Sequence, residues 1–308
     1  MANNQEIRTG AGTNKRLSAD SRLFNRLAKR FKGNKAALAA ALILVLITAM
    51  SIFAPLISPY DPAKGVLQDR LKAPTLQSPK AGGFPHVFGT DQQGRDVLAR
   101  IIYGGRVSLS VAFIVVIIAG IFGTVLGLIA GYAGGWTDMI LMRIVDIQSS
   151  FPGLIVALTF VMVLGPGQKN LIIALLINGW MIFARMARSQ VLVIRESSMV
   201  ESSRAIGVNS MRILFRHVLP NAISPLITTF VLELAHMINA EANMSFLGFG
   251  IQPPASSWGL MIAEGRNYIA NAWWLVTFPG LIIGGTVLCL NIVGNWVREE
   301  FDPLSHKH

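Results

Sequence analysis

VESSRAIGVNSMRILFRHVLPN, residues 200–221, carries Glu201, Arg204, Arg212, Arg216 and His217, yet an apolar run long enough to cross a bilayer lies on either side of it. Residues 196–206 suit a short helix, and Gly207 stands where a left-handed residue would end it. Asn209 or Ser210 can cap a second helix that runs to Val218 before Pro220 stops it. Two short helices joined at a sharp bend make a rigid knob. Ser202, Ser203 and Ala205 keep one face low enough for another surface to approach, while Glu201, Arg204 and Arg212 offer charge pairs. On composition alone an ordinary helical loop fits equally well.

The flanking sequence is that of a membrane protein. Of its 308 residues 52% are hydrophobic and 14% charged, and the mean hydropathy is +0.52, outside the soluble range. Segments of about 20 apolar residues fall near 36–57, 107–130, 139–164, 171–193, 222–249 and 273–296, predicting an all-α fold of six transmembrane helices. The first follows 35 polar residues and is too long for a signal peptide, with no small-residue cleavage site after it, so it stays attached. The lone Cys289 excludes a disulfide framework or a thiol metal cluster.

Basic residues set the orientation. Nine Lys and Arg precede the first span, and six (Arg185, Arg188, Arg195, Arg204, Arg212 and Arg216) run from the last turns of span four to the start of span five, which places both segments, and hence both termini, in the cytoplasm. Lys169 and Arg266 stand alone in the outer loops. The segment 58–106 holds seven basic residues against this rule, but six spans require it outside. The organisation expected is a basic segment 1–35, a first span 36–57, an outer loop 58–106, a five-helix core 107–297 with the knob at about 196–218, and a tail 298–308. Within 1–35, Leu23, Leu27 and Phe31 recur every four residues among basic ones, as in a helix lying on the inner lipid surface. The net charge of +11 thus reads as inner-leaflet anchoring, and nucleic-acid binding is not expected. In the outer loop a separate helix is expected, capped by Thr90 or Asp91, held by an Asp96–Arg100 pair and stopped at Gly104 and Gly105.

Polar residues inside the spans are candidates for a route through the membrane. Span five carries Glu233, His236, Asn239, Glu241 and Asn243; on a helix His236, Asn239 and Asn243 fall within about 60°, with Glu233 beside His236. Such a stripe faces either a hydrated pathway, where the two acids would attract a cationic group, or another helix bonded to it. Arg143 and Asp146, three apart in span three, suggest a structural pair. A secondary transporter would show more intramembrane acids or an internal repeat, and a membrane hydrolase a motif such as H-E-x-x-H; the sequence has neither.

The opening stretch resembles the EAA motif of bacterial ABC importer permeases: Glu201, the small Ser202 and Ser203 in place of two alanines, Gly207, then Val218, Leu219 and Pro220. FGTDQQGRDVLARIIYGGRVSL, MRIVDIQSSFPGL, AEANMSFLGFGIQPPASSWG and WWLVTFPGL extend the resemblance to the dipeptide/oligopeptide/nickel permeases, from Phe31 to Pro303. It implies a type I ABC importer permease fold in the bacterial inner membrane. It implies too that Glu201, Ser202, Ser203, Ala205, Gly207, Arg212, Leu219 and Pro220 couple the spans to an ATPase subunit. Further implied partners are a second homologous permease, two ATPase subunits that bind ATP and Mg, and an extracytoplasmic binding protein delivering short peptides, nickel or another small solute. Independently, no G-x-x-x-x-G-K-[ST] is present to cradle ATP phosphates, so no enzymatic role or resident cofactor is expected.

Overall fold

A computed structural model of the chain describes residues 33–77 and 84–301. The surface helix expected around Leu23, Leu27 and Phe31 and most of the tail lie outside the described residues. Among the described residues the architecture is helical, with one isolated antiparallel bridge between Thr90 and Asp96. Five helices are long and apolar enough to cross a membrane, and a bent pair supplies the sixth crossing when counted as one span.

The first span is α1, Lys35–Ile52, begun by Asn34, whose Oδ1 accepts the Ala37 amide at 3.0 Å. A one-turn helix α2, Ala54–Ile57, follows. The helix expected in the outer loop and the second span are one element, α3, Val97–Ala133. Its cap is Asp96, accepting from the Ala99 amide at 2.7 Å, rather than Thr90 or Asp91. Gly104 and Gly105 do not stop it. They allow close packing instead: a Cβ on Gly105 would lie 2.4 Å from Ser51 Oγ and 2.9 Å from the Trp258 ring.

The third span breaks in two. α4, Gly135–Ser149, and α5, Gly153–Leu164, meet at an 85° bend, where Pro152 denies the helix an amide and restricts Phe151 before it. α6, Gln168–Arg195, packs closely along α3. A Cβ on Gly123 would come within 2.2 Å of Trp180 O, and one on Gly127 within 2.3 Å of Ala184 O. Glycines four apart let two backbones touch, the usual way for helices to associate where lipid removes the hydrophobic drive.

The knob follows as α7, Ser198–Ala205, and α8, Ser210–Ile213. Pro220 does not end this second helix. A π-helical turn, Leu214–Val218, widens the ladder ahead of it, and α9, Leu219–Phe246, continues through the proline, whose missing amide falls beside that widened turn. A short helix α10, Trp258–Gly265, leads to α11, Trp274–Phe301. The central core joins α3, α5, α6, α9 and α11 through Val111, Val115, Val161, Leu171, Phe183, Ile238, Met244 and Leu290.

At the α3 N-terminal end, residues 58–77 and 84–96 fold with α10 and the start of α11 into a cap. Asp91 Oδ2 accepts from Arg95 Nε and Arg100 Nη1, both at 2.6 Å, and Glu264 Oε2 sits 3.0 Å from Arg95 Nη2 and 2.7 Å from Arg100 Nη2. All but Glu264 are nearly inaccessible to solvent. Two cations and two anions so enclosed offset one another's desolvation only while all four stay in place. Trp274 Nε1 donates to Thr90 O, Trp258 Nε1 donates to Ile101 O, and His86 Nδ1 lies 2.8 Å from Asp96 Oδ2. Burial, with Asp96 and Asp69 nearby, pushes the stacked Tyr60 phenol up, keeping it a neutral donor.

Candidate functional site

The knob stands at the opposite end of the bundle on an apolar root. Val200, Ile213, Leu214 and Val218 are buried against Leu128 of α3 and Ala187 and Val191 of α6. What the root holds out is the predicted surface: Glu201, Ser202, Ala205 and Arg212 are exposed, Ser203 partly so, and Ile206, Met211 and Phe215 protrude as bare apolar side chains. Ser202 and Ser203 turn their hydroxyls back on the carbonyls of Ser198 and Met199, at 2.7 and 2.8 Å. Their outward faces are therefore nearly as plain as alanine, the residue they replace in the motif. Gly207 has φ +76° as the bend requires, and Asn209 Oδ1 caps the next helix by accepting the Met211 amide at 2.9 Å. Leu219 is half-buried and Pro220 exposed where the knob enters α9.

The stripe of α9 divides. His236, Asn239 and Asn243 are exposed on one face, and the partly covered Glu233 holds His236 Nδ1 at 3.3 Å. Glu241 is not part of that face. It lies roughly 140–160° around the helix from His236 and Asn243 and is 0% exposed, with Ser245 Oγ donating to its Oε1 at 2.7 Å. Its Oε2 has no direct partner, although the Ser108 and Ser257 hydroxyls complete the polar shell around the carboxyl. Those serines belong to α3 and the α10 cap position, so Glu241 ties three elements together inside the chain.

A second polar cluster, at the broken span, escaped the sequence reading. Arg188 donates through two nitrogens to Asp138, and Arg185 Nη2 donates to Asp146 Oδ1 at 2.9 Å and to Ser149 Oγ at 3.1 Å. Asp146 thus pairs with Arg185 of α6 rather than with Arg143 as expected. Asn178 Nδ2 donates to Gly153 O at 2.9 Å, and Gln148 Nε2 to Ile177 O, so polar groups of α4, α5 and α6 converge on the bend. The signal was present as Asp146, Gln148, Ser149, Ser150 and Pro152 gathered near the middle of the run 139–164. Among the described residues no group of three or more His, Cys, Asp or Glu is placed to hold a metal ion.

Known proteins resemble this chain in sequence and in fold. Residues 123–306 match the binding-protein-dependent transport system inner membrane component, and residues 23–79 match the N-terminal TM domain of oligopeptide transport permease C. A dipeptide transport system permease protein of Alkalihalophilus pseudofirmus is 40% identical over 275 residues, 89% of this chain and 88% of that protein. A di/tripeptide transport system permease protein of Pseudomonas aeruginosa is 38% identical over 273 residues, 89% of each chain. A glutathione transport system permease protein of Pectobacterium atrosepticum is 38% identical over 275 residues, again 89% of each. Among solved structures, a chain of the MetNI methionine ABC transporter in an inward-facing conformation aligns at TM-score 0.53 and 20% identity, over 66% of this chain and 96% of that one. Similarity of that extent fixes the kinship: the chain is a multi-pass permease of the binding-protein-dependent transport system inner membrane components, and it adopts the ABC importer permease fold expected from its sequence.

Proposed function

We propose that this chain forms half of the route by which an ATP-driven importer carries short peptides, delivered by an extracytoplasmic binding protein, into the cell. The knob carries this reading: a small-residue turn, exposed yet rooted in the contact of α3 with α6, can pass a push from outside the membrane directly to the spans. In this reading residues 196–218 lie in the cytoplasm with both termini, and Glu201, Ser202, Ser203, Ala205, Gly207 and Arg212 meet one of two ATPase subunits, with Leu219 and Pro220 leading the motion into α9. ATP and Mg are held by those subunits. A second homologous permease covers the exposed face of α9, and His236, Asn239 and Asn243 line the passage between the two. Neutral amides suit a peptide backbone of any sequence, binding it weakly enough for release. The peptide cargo follows the names of the relatives, which include a di/tripeptide and a glutathione permease. The assembled importer, reconstituted with its partners, tests the reading: Glu201→Lys should leave the chain inserted while ATP-driven peptide uptake falls at least tenfold. Uptake at the unmodified rate would overturn the assignment of the knob.

A further inference from the structure

The cluster at the broken span holds charge where a membrane protein can least leave it. α6 has 28 residues and so extends about 42 Å, longer than a hydrocarbon layer about 30 Å thick; Arg185 lies within the run 171–193 expected to cross that layer, in the half nearer the knob. Even so, the Arg185 side chain is 48% exposed and that of Asp146 60%. Phe151, Pro152 and Gly153, the non-helical backbone beside them, are exposed as well. Charge and irregular backbone at this depth face protein or water, never lipid.

Structural need does not account for the pair. Arg188 and Asp138, one turn away on α6, already fasten α4 to α6 through a two-point contact that is better covered, with side chains 33% and 18% exposed. The Arg185–Asp146 contact is a single hydrogen bond with both partners open. Nearby, α5 begins without a side-chain cap, so the positive end of its dipole is also turned toward the bend. Asn178 and Ser189 lie within about 40° of Arg185 on the α6 surface, extending the polar row in both directions.

We propose that Arg185, Asp146 and Ser149 form a contact site for the charged ends of a peptide as it passes the bend. The Arg185 guanidinium takes the terminal carboxylate, and Asp146, released from Arg185, takes the terminal ammonium. One ion pair is exchanged for two and the net charge of the site is unchanged, so the contact is reversible, as transport requires. This rests on the importer reading above and adds to it the element that meets the cargo's charges.

The test uses the complete importer in vesicles, with peptide uptake, complex yield and thiol labelling measured together. Asp146→Asn and Arg185→Gln should each lower uptake about tenfold or more with complex yield unchanged. The reversal Asp146→Arg with Arg185→Asp restores an ion pair between α4 and α6 but inverts what the cargo meets, so uptake should stay low; full recovery would show a structural brace and overturn the proposal. In a Cys289→Ala background, Ser149→Cys should react with a hydrophilic methanethiosulfonate, and saturating peptide should slow that reaction. Reaction with a lipid-soluble maleimide alone would place the cluster at a lipid or subunit face and overturn it even if the charge variants failed to assemble. Uptake driven by ATP in the unmodified complex tests the importer reading separately, and Asn239→Leu tests the α9 stripe.

Discussion

Gly207 holds φ +76° with no atom within 4 Å of where a Cβ would stand, so the penalty for replacing it is conformational alone. A β-branched residue there costs about 1–2 kcal/mol or more, whereas asparagine tolerates the left-handed region. Gly207→Asn is therefore expected to keep most ATP-driven uptake and Gly207→Val to lose it, measured beside co-purification of the ATPase subunits. If both variants behave alike, strain at the bend is not what shapes the knob. Glu241 gives a contrasting case. Glu241→Leu would take from the buried Ser245 hydroxyl its acceptor, at about 1–3 kcal/mol; a clear fall in the thermal midpoint of the purified complex is expected, with Glu241→Gln close to the parent. Gly207 was legible in the sequence because backbone chirality needs no neighbours. Glu241 was not, since residue type suggested a pathway while only its neighbours on α3 and α10 reveal the enclosed pocket that holds it.

At the level of helices, the contact of α3 with α6 is set by backbone clearance. A side chain at Gly127 would strike the Ala184 carbonyl, which cannot yield as a flexible side chain could, whereas a Cβ at Gly120 meets the Phe183 ring at an ordinary 3.5 Å. Gly127→Leu should cost about 1–3 kcal/mol or more and reduce the yield of folded chain in detergent, and Gly120→Ala should be near neutral. Equal yields from the two would remove clearance as the determinant. Gly123, Gly127 and Gly131 recur every four residues and were readable, but a search for apolar length alone passes over them. For the same reason α4 and α5 were expected as one span: the strongly apolar α5 carries the average of the run 139–164 over the more polar α4, and the bend depends on Pro152 together with polar groups of α6 that lie outside that run. α3 erred the other way, its glycines being taken for a stop when they are seats for Ser51 and Trp258.

Across the whole molecule, five crossings, and a sixth where the bent pair counts as one, were legible because hydrocarbon thickness fixes the length of an apolar run, and orientation remains a proposal with a direct check. In a Cys289→Ala background, Lys169→Cys and Arg266→Cys should react with an impermeant thiol reagent added outside intact cells, and Arg195→Cys should not; the converse pattern would invert the topology. Segment 58–106 opposed that orientation by its seven basic residues. Four of them, Lys64, Lys72, Arg95 and Arg100, are engaged by Asp61, Asp69, Asp91 and Glu264 in the folded cap, so the excess is largely neutralised once the chain is complete. That completion takes time. Arg95 and its partner Glu264 are 169 residues apart, and at roughly 5–20 residues per second of synthesis the first half waits on the order of ten seconds or more for the acid that closes the lattice. Until then Arg95 and Arg100 have only Asp91 to share between them, and on the proposed outer side they are open to a trypsin-like protease. A nascent chain halted before residue 258 should be cut at Arg95 or Arg100 while the finished one resists, so that protease resistance at the cap reports a chain translated through Glu264.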